Sequence, residues 1–142
     1  MKCTEDTIGF LLADVSRMMR QAYQRELTED QLTLAQARAL VYVQRHEGLR
    51  QFELAELLEV APMTLARLLD TLVAQDLVER RPDPQDRRAF RVHLRPAAAE
   101  QLARIDEAAE HIRRNALQNI APENQAVLLQ TLQHMRSNLS TR

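Results

Sequence analysis

LRQFELAELLEVAPMTLARLLDTLVAQDLVERRPDPQDRRAFRVHLR, from Leu49 to Arg95, decides the fold of this chain. Arg50 to Leu58 places Phe52, Leu54, Ala55, Leu57 and Leu58 on the inward side of a short helix. The break at Val60-Ala61-Pro62 ends it, and Pro62 opens a second helix at a position where its missing N–H is harmless. Leu65, Leu68, Leu69, Leu72 and Val73 then form one apolar stripe, with Met63, Thr64, Arg67, Asp70 and Thr71 on the other face. After Asp76 the period changes to two: Phe90, Val92 and Leu94 alternate with Arg91, His93 and Arg95, as in a half-buried strand. Pro82-Asp83-Pro84-Gln85-Asp86 supplies the turn between this strand and the one starting at Val78. The stretch therefore reads as a helix-turn-helix followed by a basic β-hairpin, or wing, shaped to hold duplex DNA.

Charge supports this reading locally. The 142-residue chain has a net charge of −1, yet Arg80 to Arg95 holds six arginines against two acids. A concentrated basic patch matters more for nucleic acid than the total charge. Lys2 is the single lysine, so the chain favours arginine generally, but that bias does not explain the clustering. Arg87 and Arg88 follow the turn, where a protruding arginine can enter the electronegative minor groove. Asp86 beside them is expected to pair with an arginine and fix the tip. Met63, Thr64 and Arg67, at the start of the second helix with Pro62, are the expected readers of base edges. Arg50 and Gln51, opening the first helix, and Arg91 on the strand complete the expected DNA-binding set.

Helices flank this unit. Ile8, Leu11, Leu12, Val15, Met18, Met19 and Ala22 give Thr7 to about Leu27 a broad apolar face. Thr33-Leu34-Ala35-Gln36 matches a capping box and starts the next helix, which ends before Gly48. Pro96 to about Asn119 forms a long helix, with Leu117 on its inner face. Pro122 begins the last, with Leu128, Leu129, Leu132 and Met135 apolar. The fold class is mainly α with a small β-hairpin wing: residues 1–30 a dimerisation helix, 31–95 the DNA-binding lobe, 96–142 further dimerisation helices. A monomer would leave Ile8, Leu11, Leu12, Val15, Leu117, Leu128, Leu129, Leu132 and Met135 poorly covered. A homodimer buries them and sets two readers on a pseudo-palindromic operator.

Asp83 to Leu94 resembles the wing of the MarR family of bacterial transcriptional regulators, with the Asp-x-Arg core at Asp86 and Arg88. Thr64 to Leu72 and Leu77-Val78-Glu79-Arg80 are similar to that family's recognition helix and first wing strand, and the resemblance covers nearly the whole chain. It implies a homodimeric winged helix-turn-helix protein, usually a repressor, whose DNA affinity falls on a small-molecule or oxidant signal. It implies that Arg88 enters the minor groove, that Asp86 braces the wing and that the Met63–Arg67 face reads the major groove. Two positions depart from the pattern. Asp76 stands where a glycine is common, and Arg95-Pro96 where a threonine usually caps the next helix.

The resemblance also implies an effector pocket between the dimer helices and the DNA lobe. Arg17, Arg20, Tyr23 and Arg38 are candidates to line it, and arginines there suit a carboxylate or phenolate. Cys3, the one cysteine, sits beside Glu5 and Asp6, which raise a thiol pKa, and is expected to be inert. His46, His93, His111 and His134 fall on separate elements, so no metal site and no cofactor are expected. Two glycines cannot build a phosphate loop, and neither a nucleophile elbow nor a metal-protease motif is present, so an enzyme is not expected. The acidic N-terminus and the lack of a long apolar run lead to a cytoplasmic expectation without membrane contact. The alternative is a helical protein-interaction module that kept the winged fold and lost DNA binding.

Overall fold

A computed structural model describes residues 5–27 and 32–140. Helix α1 spans Ile8–Leu27, α2 Leu34–Arg45, α3 Gln51–Leu58 and α4 Pro62–Ala74. Strands β1 (Val78–Pro82) and β2 (Phe90–Leu94) follow, then α5 (Ala98–Ala116) and α6 (Pro122–Ser140). The chain divides into two compact units, one up to Ala109 and one from Glu110, with the α5 helix continuous across the division.

The first unit is built on the apolar faces that the 3.6-residue period predicts. Leu40 and Val43 of α2, Leu54 of α3 and Leu65, Leu69 and Leu72 of α4 are fully buried together with Val78 and Val92 of the hairpin. Each such side chain contributes about 1.5–3 kcal/mol relative to exposure. Four expected core positions lie at the surface instead: Phe52 (50% exposed), Leu57, Val73 and Phe90 (43%). Helix α3 has only eight residues, and its inward stripe is narrow enough to be filled by Leu54, Ala55 and Leu58.

The helix ends follow local chemistry. Thr33 caps α2 through a complete capping box: its Oγ1 accepts from the Gln36 N–H at 3.1 Å, and Gln36 Oε1 accepts from the Thr33 N–H at 3.1 Å. Glu59 takes a left-handed conformation (φ 54°) to end α3, and Pro62 sits in the first turn of α4. Asp76, where the family resemblance implies a glycine, also adopts positive φ (60°) and pairs with Arg95 at 3.2 Å. Helix α5 begins at Ala98, just past Pro96.

Strands β1 and β2 pair antiparallel, with Val78 opposite Leu94 and Pro82 opposite Phe90. The other edge of β2 is used as well. The Gly48 N–H donates to the Val92 carbonyl (2.9 Å), the Val92 N–H donates to the Leu49 carbonyl (3.0 Å), and Arg50 bridges Arg91. Gly48 makes this approach possible at φ 86°, with its face against the His93 ring. An alanine Cβ there lies 3.3 Å from His93 Cε1 in a backbone conformation that side chains resist. Gly48→Ala is therefore expected to destabilise the fold by about 1–3 kcal/mol, read as a lower thermal midpoint.

In the second unit, α6 runs its full length with no buried residue. Val127, Leu128, Leu129, Leu132 and Leu139 are exposed, and Met135 is half-buried. In the first unit, α1 likewise exposes Ile8, Phe10, Leu11, Leu12, Val15 and Met18. None of the helices described is long and apolar enough to cross a membrane.

Candidate nucleic-acid interface

Helix α4 presents Met63, Thr64 and Arg67 outward, Met63 at 69% exposure. The opposite face, with Leu65, Leu69 and Leu72, fixes the helix to the core, so the outward set is held on a rigid element. Arg80 of β1 fixes it further. Its Nε donates to Gln51 Oε1 (3.0 Å), one Nη to the Ala66 carbonyl (3.0 Å), and the other Nη pairs with Asp70 Oδ1 (2.8 Å). One guanidinium thus ties α3, α4 and the hairpin together, using the planar fork that makes arginine suited to such a junction. It also offsets the negative charge of Asp70 on α4.

The wing holds a second junction. Asp83 is the buried acid among the described residues, its side chain fully enclosed. Its Oδ2 accepts from Arg50 Nε at 2.7 Å and pairs with Arg91 Nε at 3.1 Å, while Oδ1 accepts from the Gln85 N–H at 2.8 Å. The Gln85 bond does most to hold its carboxyl below the ordinary aspartate value. Burial opposes this, and the Arg50 hydrogen bond and the charges of Arg50 and Arg91 reinforce it. A carboxyl with a lowered pKa loses its stabilising charge only as pH falls through that lowered value, so the junction is intact at neutral pH.

Asp86 behaves differently from expectation. Its Oδ1 accepts the Arg88 backbone N–H at 3.0 Å, and among the described residues no arginine pairs with it. It shapes the turn, whereas the arginine pairing expected of it falls on Asp83. The hairpin register explains this. The Asp83 N–H donates to the Ala89 carbonyl (3.0 Å), which continues the β1–β2 ladder and encloses the Asp83 side chain, leaving Asp86 at the exposed tip.

These pairs sort the arginines. Arg81 and Arg95 both bind Glu79, whose pKa is lowered first by the Arg81 hydrogen bond and then by that of Arg95. Arg80 and Arg91 are engaged as described, and Arg91 also donates to the Gly48 carbonyl at 2.9 Å. Arg50 and Gln51, expected at the DNA surface, likewise have protein partners. Of the arginines from Arg50 to Arg95, Arg67, Arg87 and Arg88 are the exposed ones without an ion pair. A cleft of about 200 Å³ brings Gln51, Pro62 and Arg88 together with Phe52, Ala89 and Phe90. Sequence reasoning missed Arg80, Asp83, Phe52 and Phe90 as parts of this surface. The fork of Arg80 and the first Asp of the turn were visible, but their pairing depends on register.

Each of the four effector candidates has surroundings of its own. Arg17 pairs with Asp14 (3.2 Å), Arg20 donates to Ser16 (2.9 Å), and Arg38 lies over the Tyr42 ring at 5.9 Å. Tyr23 packs against the core, and burial, then the charges of Asp106 and Glu26, raise its pKa. A separate open cavity of about 340 Å³ lies between Gln44, Leu94, Arg95, Leu102 and Asp106. Among the described residues no group of His, Cys, Asp and Glu is placed to hold a metal ion. Cys3 lies outside the described residues.

Two helices set at a tight turn, backed by a hairpin that carries unpaired arginines, define a winged helix-turn-helix regulator. A model of the MarR family matches residues 30–89. The transcriptional regulator PA3341 is 37% identical, over 96% of this chain and 100% of that one, with a TM-score of 0.80. The HTH-type transcriptional repressor NicR of Pseudomonas putida is 28% identical over 130 residues, 92% of this chain and 82% of NicR. A crystal structure of MarR, 24% identical, shares the fold with a TM-score of 0.86 over 98% of this chain and 95% of its own. The chain belongs to the MarR family of transcriptional regulators.

Proposed function

We propose that the protein is a cytoplasmic homodimeric repressor that binds a pseudo-palindromic DNA operator and is released by a small phenolic or carboxylate effector. The observation that carries this reading is the sorting of the arginines: those of the hairpin strands are spent within the protein, while Arg67, Arg87 and Arg88 face solvent unpaired. In this reading Met63, Thr64 and Arg67 meet base edges in the major groove, and Arg88, with Arg87, meets the minor groove. Arg50, Gln51 and Arg91 act from behind, through Asp83 and Arg80. The exposed apolar faces of α1 and α6 support a second copy as partner. NicR's description as a repressor supports the sign of regulation. An effector seated beside the helices that join the two copies would alter the distance between the readers. It must prefer the non-binding state by a few kcal/mol to matter.

The test is fluorescence anisotropy with the duplex upstream of the protein's own gene, against scrambled duplex, over a salt series. The expected result is preference for the first, with log affinity falling against log salt at a slope of about −5. That slope corresponds to roughly 0.9 per neutralised phosphate for the unpaired arginines of two protomers. No preference for any genomic duplex, in a selection from fragmented genome, would overturn it in favour of a protein-interaction module.

A further inference from the structure

We infer that Asp83 is the positioning residue of the wing, the group through which the first residue of the helix-turn-helix sets where Arg87 and Arg88 stand. The inference rests on the DNA-binding reading above. It starts from a contrast in burial. Arg81, Pro82 and residues 84–88 are all exposed, yet the Asp83 side chain among them is 0% exposed. Burying a carboxylate is costly unless its oxygens are satisfied, and here both are. Oδ2 meets Arg50 and Arg91, and Oδ1 meets the Gln85 N–H.

These partners belong to three different places. Arg50 is the N-cap residue of α3, Arg91 is in β2, and Gln85 is in the turn itself. From this anchor the tip is closed by a short chain of bonds. The Asp83 N–H donates to the Ala89 carbonyl (3.0 Å), the Ala89 N–H to the Asp86 carbonyl (3.1 Å), and the Arg88 N–H to Asp86 Oδ1 (3.0 Å). Asp86 therefore shapes the tip locally, while Asp83 fastens that tip to the body of the lobe. Without the Asp83 carboxylate the tip keeps its local turn but loses its attachment to α3. The two arginines would then sample positions that match no groove, and ordering them would cost affinity on binding. The protein partners of Arg50 and Arg91 follow from the same arrangement, since both serve the carboxylate.

The experiment is a double-mutant cycle of Asp83→Ala and Arg88→Ala, read by anisotropy with the operator duplex at a temperature where circular dichroism shows all variants folded. Asp83 and Arg88 share no hydrogen bond or ion pair, so independent roles give multiplied losses. The positioning role predicts that Asp83→Ala weakens binding by tenfold or more, comparably to Arg88→Ala, and that the double variant loses little beyond either. Asp83→Asn, which keeps the shape and one acceptor for the Gln85 N–H, is expected to recover part of the loss, and it carries the same cycle should the alanine variant not fold. Amide exchange is expected to quicken at residues 85–89 and not in the paired part of β1. Multiplied losses, or full affinity in folded Asp83→Ala, overturn the inference while the DNA-binding reading stands. Wild-type protein without operator preference overturns both.

Discussion

Arg88→Ala is expected to weaken operator binding by about 1–3 kcal/mol per reader, roughly five- to 150-fold, with no change in thermal stability. Both halves follow from its surroundings. The side chain is exposed at the wing tip and among the described residues has no ion pair, so removing it leaves no buried partner unsatisfied. Its backbone N–H, which Asp86 holds, survives the substitution. The salt slope should also become shallower, because a cation that displaces counterions is lost. Arg81→Ala provides the contrast: that guanidinium is paired with Glu79 and Arg95 shares the same acid, so little affinity should be lost. Equal effects of the two substitutions, or none at Arg88, would show that pairing within the protein does not decide which arginines meet DNA.

Leu128→Glu with Leu132→Glu is expected to give monomers in sedimentation and to lower operator affinity by about 10²- to 10⁴-fold. The second figure is the advantage of tethering one reader to another already bound. The argument begins with α6, whose 19 residues bury none of their side chains within the chain. Most helical stability in proteins comes from packing an apolar face rather than from propensity, and in the homodimer reading a second copy supplies that packing. Leu128 and Leu132 lie four residues apart on one face, and both are exposed. Two carboxylates there remove apolar burial and repel their counterparts across a two-fold contact. Because neither side chain supports the core of the DNA-binding unit, circular dichroism should report little loss of helix there. A double variant that stays dimeric would move the interface elsewhere.

Much of the fold was legible because period and punctuation agree with it. The capping box at Thr33, the proline at the start of α4 and the two-residue alternation of β2 each state a local structure, and each is present. What sequence could not resolve is partnership. Asp83 and Asp86 flank the same turn three residues apart. Composition gives no reason to prefer one, whereas the register Pro82 to Phe90 puts the first inside and the second at the tip. The cluster of arginines announced a basic wing, but which of them remain unpaired depends on acids at Asp70, Asp76, Glu79 and Asp83 that meet them only after folding. Phe52 and Phe90 were placed inside because apolar residues usually are, and their exposure beside Pro62 is set by the shortness of α3. The effector candidates meet the same limit: helical spacing places residues on a face without saying what faces them.

The hydrogen bonds along both sides of β2 bear on how the protein behaves when crowded. A hairpin projecting from a helical protein normally offers open strand edges on which another chain can grow, the first step toward ordered aggregates. Here Gly48, Leu49 and Arg50 occupy one side of β2 and β1 occupies the other. The outer edge that remains, Val78–Pro82, carries three charged residues and ends on a proline that has no N–H to donate. A high local concentration, as when many copies gather near one stretch of chromosome, therefore does not expose the wing to strand-by-strand accretion.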